Sequence, residues 1–339
     1  MTSENSEKIV TIIGGSGFIG RHIVRALAQR DYRIRVACRR PDLAGHVQPL
    51  GTPGQVMPVQ ANVRYPASIA AVCDGAHAVI NLTGVLFSSG AQSFDAIHVF
   101  GAEASAKAAK AAKAKVFIQM SALGADASSS SEYARTKAAG EAKAKAAFPG
   151  AIVLRPSIVF GPEDNFFNQF AGLGRLAPAL PLIGGGHTKF TPLFVGDLAE
   201  AIATLVDRGE ASGQTLELGG PEVFTFKQLM EFTLSTIGRK RLLVPVPWPI
   251  AKVLGLVLGI LNSNGFRAVT LGLFPDAPLT SDQVELLKTD NVVSEAATRE
   301  GRDLASLGIT AQGIQGIVPS YLYRYRKAGQ FTAPKGMPE

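Results

Sequence analysis

The sequence predicts an α/β fold: a doubly wound parallel sheet followed by a smaller C-terminal α/β lobe. Three observations carry this expectation. Short β-like runs alternate with helical patterns through the first half of the chain, the order that builds a parallel sheet covered by helices. A glycine-rich turn, Gly14–Gly20 (GGSGFIG), joins the first β-like run to the first helical one. Beyond Pro156 the alternation loosens into shorter, proline- and glycine-punctuated segments.

The elements follow in order. Ile9–Ile13 is a continuous apolar run, and Ile19, Ile23, Val24 and Leu27 then recur at helical spacing. Further strand-like runs stand at Arg33–Cys38, Gln55–Val59, Ala78–Leu82, Val116–Met120 and Ile152–Leu154. The stretch Ala102–Ala114 is rich in alanine and lysine, strong helix formers without competing local hydrogen bonds. A second helix is expected over Glu132–Phe148. In the later half, Gly184–Gly186 marks a loop, Val195–Val206 and Phe226–Ile237 read as helices, and Gln214–Leu218 as a strand. Pro245, Pro247 and Pro249 predict a rigid extended connector into an apolar run, Pro249–Leu261. That run is too short to span a bilayer, which takes about 20 residues. Ile314, Ile317, Val318, Tyr321, Leu322 and Tyr325 fall on one face of a C-terminal helix, with Arg324, Arg326 and Lys327 off the stripe. Thr332–Glu339 reads as a free tail.

Composition narrows the functional classes. Hydrophobic content of 46% with 18% charged residues is ordinary for a globular chain with a sizeable core. Two cysteines, Cys38 and Cys73, are too few for a disulfide framework and fit a reducing compartment. The five histidines are scattered, none at metal-ligand spacing from a cysteine or carboxylate, so no metal site is expected. The polar start, MTSENSEKIV, does not read as a secretory signal. A net charge of +7 implies attraction to something anionic: phosphates, acidic lipid or an acidic partner. The basic residues are spread over several helices without an aromatic stacking motif, so specific nucleic-acid binding is not expected.

The turn Gly14-Gly15-Ser16-Gly17-Phe18-Ile19-Gly20 satisfies GxxGxxG and GxGxxG spacings at once. Glycines there permit a tight turn, a close backbone approach to a pyrophosphate and close helix–strand packing. A helix N-terminus beside them offers N–H groups and a positive dipole end to phosphates. With a strand before it and a helix after it, the turn has the context of a Rossmann-type dinucleotide site. A site for NAD places a carboxylate at the end of the second strand for the ribose 2′-hydroxyl. This chain carries Arg39 and Arg40 there, with Arg21 just beyond the glycine turn. Guanidinium forks suit a 2′-phosphate, so NADP(H), and NADPH in particular, is the expected cofactor. The expected boundaries are residues 8–160 for this domain, 161–330 for an interleaved smaller lobe, and 331–339 for a tail.

Tyr133 and Lys137 form a YxxxK pair whose side chains share one helical face. A nearby ammonium stabilises phenolate, so Tyr133 can serve as a general acid or base. Lys137 can instead hold ribose hydroxyls without catalysis; both roles are open. Ser121, at the end of the fifth strand-like run, is the candidate third group, with Ser128–Ser131 as a polar loop nearby.

The segments GGSGFIG, NLTG (Asn81–Gly84), YARTK and RPSIVFGP (Arg155–Pro162) resemble the short-chain dehydrogenase/reductase superfamily in its extended form. The resemblance places Leu82, Thr83 and Gly84 at the superfamily's sheet-end motif. It implies that Asn62 and Val63 flank the adenine, and that backbone around Pro156, Ser157 and Ile158 meets the nicotinamide. More narrowly, Ser129–Ala171 and Leu287–Val293 (LKTDNVV) are similar to the nucleotide-binding accessory subunits of respiratory complex I. That resemblance runs from about Lys8 to about Gly308. It implies tightly bound NADPH with a structural or regulatory role, and contact with hydrophilic-arm and membrane-junction subunits. It implies a peripheral position on the cytoplasmic face of a bacterial inner membrane, or on the mitochondrial matrix side. Lipid contact would fall to Pro249–Leu261 and the C-terminal helix. The competing expectation, kept open by Tyr133 and Lys137, is a free-standing NADPH-dependent reductase, epimerase or dehydratase acting on a sugar nucleotide or another carbonyl substrate.

Overall fold

The computed structural model describes residues 4–88, 90–209, 213–261 and 280–331, the side chains of 257–261 excepted. The chain divides into two units: Met1–Pro156 with Val195–Leu218 and Ser294–Thr310, and Ser157–Phe194 with Gly219–Val293 and Ala311–Glu339.

In the first unit seven parallel strands form one sheet. Its strands are β1 (Ile9–Ile13), β2 (Arg33–Cys38), β3 (Val56–Gln60), β4 (Ala78–Asn81), β5 (Val116–Met120), β6 (Ile152–Pro156) and, from much later in the chain, β11 (Thr215–Leu218). The spatial order is β11-β6-β5-β4-β1-β2-β3. The central strands β4 and β5 are buried throughout, as expected of strands covered on both faces. The winding runs outward from β1 to β3 in one direction and from β4 to β6 in the other. The reversal lies between β1 and β4, paired from Val10↔Ala78 to Ile13↔Asn81, and such a switch point is where a doubly wound sheet receives ligands.

The longer helices of this unit are α1 (Phe18–Ala28), α2 (Pro66–Cys73), α3 (Gly101–Ala111), α4 (Glu132–Ala147) and α6 (Val195–Arg208), with a short one at Glu295–Arg299. Ala102, Ala106 and Ala109 of α3 and Ala144 of α4 share an apolar cluster with Val79 and Phe117. Small side chains let these helices lie close to the sheet and to each other. Between α1 and α6, Arg30 pairs with Glu200 (2.5 Å) and Asp207 (2.9 Å), and the Tyr32 hydroxyl donates to Asp207. A π-helical stretch, Asp95–Phe100, leads directly into α3.

The second unit is built on aromatic packing. Phe160, Phe167, Phe190 and Phe226 are buried in one cluster with Leu180, Leu229 and Met230. Its elements are β7 (Val159–Phe160), α5 (Phe166–Leu176), β8 (Ala179–Ile183), β9 (Lys189–Phe190), β10 (Leu193–Phe194), β12 (Phe224–Thr225), α7 (Phe226–Thr236), β13 (Leu242–Val246) and α8 (Trp248–Leu261). Short helices follow at Ser281–Leu286, Ile314–Ile317 and Pro319–Leu322.

Two sequence expectations are corrected here. The proline connector is not a plain spacer: Pro245 lies within β13, which pairs with β8 from Leu242↔Ala179 to Val246↔Ile183. A proline is tolerated in this two-stranded sheet because a strand with one open side need not donate every N–H. Pro249 sits in the first turn of α8, where its missing N–H costs nothing. The single C-terminal helix is instead two short helices and a 3-10 turn, Tyr323–Tyr325. Pro319 lacks the N–H that would continue the ladder. The apolar stripe is nonetheless buried at Ile314, Val318, Tyr321 and Leu322. Strand and helix ends otherwise move by a few residues, as at β3 and β6. The tail Thr332–Glu339 lies outside the described residues.

Candidate functional site

The glycine turn sits at the switch point. Gly14 takes a left-handed φ of +84°, which favours glycine. A Cβ on Gly15 would lie 3.0 Å from Ile12 Cβ, and one on Gly20 would lie 2.4 Å from the Gly15 carbonyl oxygen. The turn is thus compressed against β1 and against its own helix. No side chain caps α1. The N–H groups of its first turn, Phe18 and Ile19 among them, have no partner inside the helix and form an anion cradle. The Ser16 side chain hydrogen-bonds the Cys38 thiol, whose pKa burial raises, and the Ser16 carbonyl meets His46 at 3.1 Å. Arg21 continues the helix by donating its N–H to Gly17. The cradle fits a dinucleotide pyrophosphate.

At the end of β2, Arg39 donates to Gln92 at 2.5 Å. Arg40 instead forks onto Asp42, Nε to Oδ1 at 2.9 Å and Nη2 to Oδ2 at 2.6 Å, which holds that carboxyl below its ordinary range. Both arginines are exposed. Asn62 forms a local turn, its Oδ1 accepting from the Arg64 N–H, while Val63 is buried against Gly101, where a Cβ would come within 3.1 Å.

The loop after β4 is anchored from below. Buried Asn81 donates to Gln119 at 2.9 Å and accepts from the Thr83 hydroxyl at 2.6 Å and the Thr83 N–H at 3.2 Å. Leu82 N–H bonds Ile13. Gly84 packs closely on the lysine, since a Cβ there would lie 3.2 Å from Lys137 Nζ.

On α4, Ser131 caps the helix by accepting from the Ala134 N–H. Lys137 Nζ lies 5.7 Å from the centre of the Tyr133 ring and donates to the Met120 carbonyl at 3.4 Å. Burial brings its pKa down to about 8, against a smaller opposing pull from Glu141. An ammonium poised in this way stabilises a phenolate on Tyr133 or binds hydroxyls. Ser121 points elsewhere: its hydroxyl donates to Glu141, which also accepts from Arg155 Nε (2.9 Å) and Nη2 (2.7 Å). The structure therefore brings Tyr133, Lys137 and Gly84 together and commits the Ser121 hydroxyl to a buried ion pair. Pro156 ends β6, with its carbonyl accepting from Leu123 N–H. Ser157 and Ile158 begin the second unit. There the Ser157 hydroxyl meets Asn291 Oδ1 at 2.7 Å, and the Ile158 carbonyl accepts from Leu193 N–H.

Sequence reading missed four participants. His98 packs edge-on to Tyr133 with ring centroids 5.3 Å apart. Buried Gln119 and Glu141, with half-buried Arg155, form the polar floor. Glu141 was findable, since it continues the Tyr133, Lys137 stripe by four residues. His98 had no such signal, because the π-helical stretch shifts it off helical register. Among the described residues no cluster able to hold a metal is present, and no helix is long and apolar enough to cross a membrane.

Comparison with known proteins identifies the family. The chain is 35% identical over 325 residues to the protein of Arabidopsis thaliana named NADH dehydrogenase (ubiquinone) 1 alpha subcomplex subunit 9, mitochondrial, covering 95% of this chain and 79% of that one. It is 31% identical over 293 residues to the ceramide reductase of Caulobacter vibrioides, covering 86% of this chain and 88% of that one. The solved structure of MoeE5 in complex with UDP-glucose and NAD has a TM-score of 0.65 at 14% identity, covering 93% of this chain and 97% of that one, a likeness of fold. The pattern of the NAD dependent epimerase/dehydratase family matches residues 10–219. The chain is a member of that family, the extended short-chain dehydrogenase/reductases, and is related within it to the subunit 9 proteins.

Proposed function

We propose that this chain is an NADP(H)-binding accessory subunit of a membrane-associated NADH:quinone oxidoreductase, complex I, in which bound NADPH has a structural or regulatory role. The observation that carries this reading is similarity over nearly the whole chain to a protein named as a subunit of that enzyme. The cofactor would lie on the Gly14–Gly20 cradle, with Arg39 at the 2′-phosphate. Arg39 is favoured over Arg40 because Asp42 already occupies the Arg40 fork. A non-catalytic role is supported by Ser121, whose hydroxyl is held by Glu141. Its partners would be the hydrophilic-arm and membrane-junction subunits. The exposed apolar side chains of α8, Ile250, Val253 and Leu256, are the surface assigned to that junction and its lipid. The position is then peripheral, on the cytoplasmic face of a bacterial inner membrane or on the matrix side.

Native electrophoresis of gently solubilised membranes tests assembly: the chain is expected to co-migrate with in-gel NADH dehydrogenase activity, and migration only as a small species would sink the reading. Titration of the purified chain tests the cofactor. Arg39→Ala is expected to weaken NADPH about 10–100-fold, the worth of a charge-assisted hydrogen bond, with NADH affinity unchanged. Equal loss for both nucleotides would remove Arg39 from the 2′-phosphate.

A second reading is favoured by the Tyr133–Lys137 geometry and by similarity to a protein named ceramide reductase: a free-standing NADPH-dependent reductase on a carbonyl substrate. NADPH oxidation that depends on such a substrate and is lost in Tyr133→Phe would establish it.

A further inference from the structure

His98 stands beside Tyr133 with no role yet assigned to it, and it is almost fully buried. Its ring touches three elements. The Val85 N–H, just past Gly84, donates to His98 Nε2 at 3.1 Å. Nδ1 lies 3.1 Å from the Thr136 hydroxyl oxygen on α4. The face and edge of the ring meet Phe94 (5.4 Å) and Tyr133 (5.3 Å).

The hydrogen bonds assign the tautomer. Nε2 faces a backbone N–H and must present its lone pair, so the proton resides on Nδ1. The Thr136 hydroxyl already donates to the Glu132 carbonyl at 2.8 Å, leaving a lone pair for Nδ1–H. Each donor thus meets one acceptor from the loop after β4 to the backbone of α4. A cationic imidazole would set an N–H against the Val85 N–H. It would also stand close to Lys137: the place of a Gly84 Cβ is 3.2 Å from Lys137 Nζ and 3.8 Å from His98 Nε2. The main chain of His98 is itself held close to α4, because a Cβ on Gly140 would lie 2.1 Å from the His98 carbonyl oxygen. The π-helical stretch and α4 therefore meet backbone to backbone.

We infer that His98, as the neutral Nδ1–H tautomer, is a positioning residue that latches the loop Leu82–Val85 onto the helix carrying Tyr133 and Lys137. The latch sets the separation between that loop and the Lys137 ammonium, so it fixes the shape of the proposed cofactor pocket without touching the cofactor. Its effect on cofactor affinity rests on the reading that this loop borders the bound nucleotide.

The test uses the full chain. Nitrogen-15 spectra are expected to show His98 with Nδ1 protonated, Nε2 unprotonated, and a through-hydrogen-bond coupling from the Val85 amide to Nε2. An Nε2–H tautomer, or an absent coupling with the Val85 amide resolved, overturns the latch whatever the nucleotide does. In parallel, NADPH is titrated into wild type, His98→Phe, which keeps a ring without its hydrogen bonds, and His98→Gln, which keeps one acceptor and one donor. The expected pattern is binding by wild type, about tenfold or greater weakening in His98→Phe, and substantial recovery in His98→Gln. Equal affinity in wild type and His98→Phe overturns the positioning role and leaves the cofactor reading standing. No binding by wild type overturns the cofactor reading, and the spectra then decide the latch alone. Should His98→Phe fail to fold, His98→Gln and Thr136→Val carry the titration. Thr136→Val is expected to weaken NADPH, and wild-type affinity there would overturn the inference.

Discussion

Neutralising Glu141 is the sharpest test of the buried floor under the site. Its carboxylate accepts from the Ser121 hydroxyl and from both Arg155 Nε and Nη2, and its side chain is 9% exposed against 26% for Arg155. Removing one member of a buried pair costs about 3–5 kcal/mol, because the other charge is left without its counter-ion. Partial exposure lets water take up some of the Arg155 charge, and glutamine keeps an acceptor for Ser121. The expectation for Glu141→Gln is therefore about 2–3 kcal/mol. In a unit of about 200 residues each kcal/mol moves the melting midpoint by about 2–4 °C, so a fall of roughly 5–10 °C is expected by circular dichroism. The double variant Glu141→Gln/Arg155→Met removes the stranded charge and is expected to recover part of the loss. Glu141 also lifts the Lys137 pKa. In the single variant Lys137 should therefore be acylated at lower pH than in wild type, as read by mass spectrometry. A melting midpoint within a degree of wild type, together with unchanged Lys137 labelling, would refute the reasoning.

Two further outcomes follow from the same physics. Burial brings the Lys137 pKa to about 8, below the ordinary 10.5. Between those values the unfolded chain binds more protons than the folded one, so stability rises with pH across that window. Lys137→Met should stabilise the fold at pH 7 and abolish that alkaline rise, measured as urea midpoints at pH 7 and 9.5. In the second unit, the Tyr321 hydroxyl donates to buried Asp164 at 2.5 Å. Tyr321→Phe should cost about 1–3 kcal/mol and expose the segment after Ala311 to limited proteolysis.

The parallel sheet was legible because its strands are apolar runs separated by turn residues, and Ile9–Ile13 and Val116–Met120 fall where their residues alone put them. The glycine turn was legible because its spacing is a steric requirement, seen at Gly20 against Gly15. The C-terminal stripe was legible as a buried face but not as a broken helix, since periodicity is silent about the single proline that interrupts it. What stayed hidden depends on pairings between distant residues. Nothing local to Ser121 tells that its hydroxyl faces Glu141. Nothing local to Arg39 tells that it donates to Gln92, 53 residues further along the chain. His98 is assigned by three elements that meet only in the folded chain.

The seventh strand has a consequence for synthesis. β11 pairs with β6 from Thr215↔Val153 to Leu218↔Pro156, and the first unit also takes in Ser294–Thr310. A ribosome releasing this protein delivers six strands long before the seventh. Until then β6 presents an unpaired edge of N–H and C=O groups, the kind of edge that recruits foreign strands. The first unit thus reaches completion only after residue 310 has emerged. A fragment ending near residue 160 would be an aggregation-prone, unfinished sheet rather than a portable module.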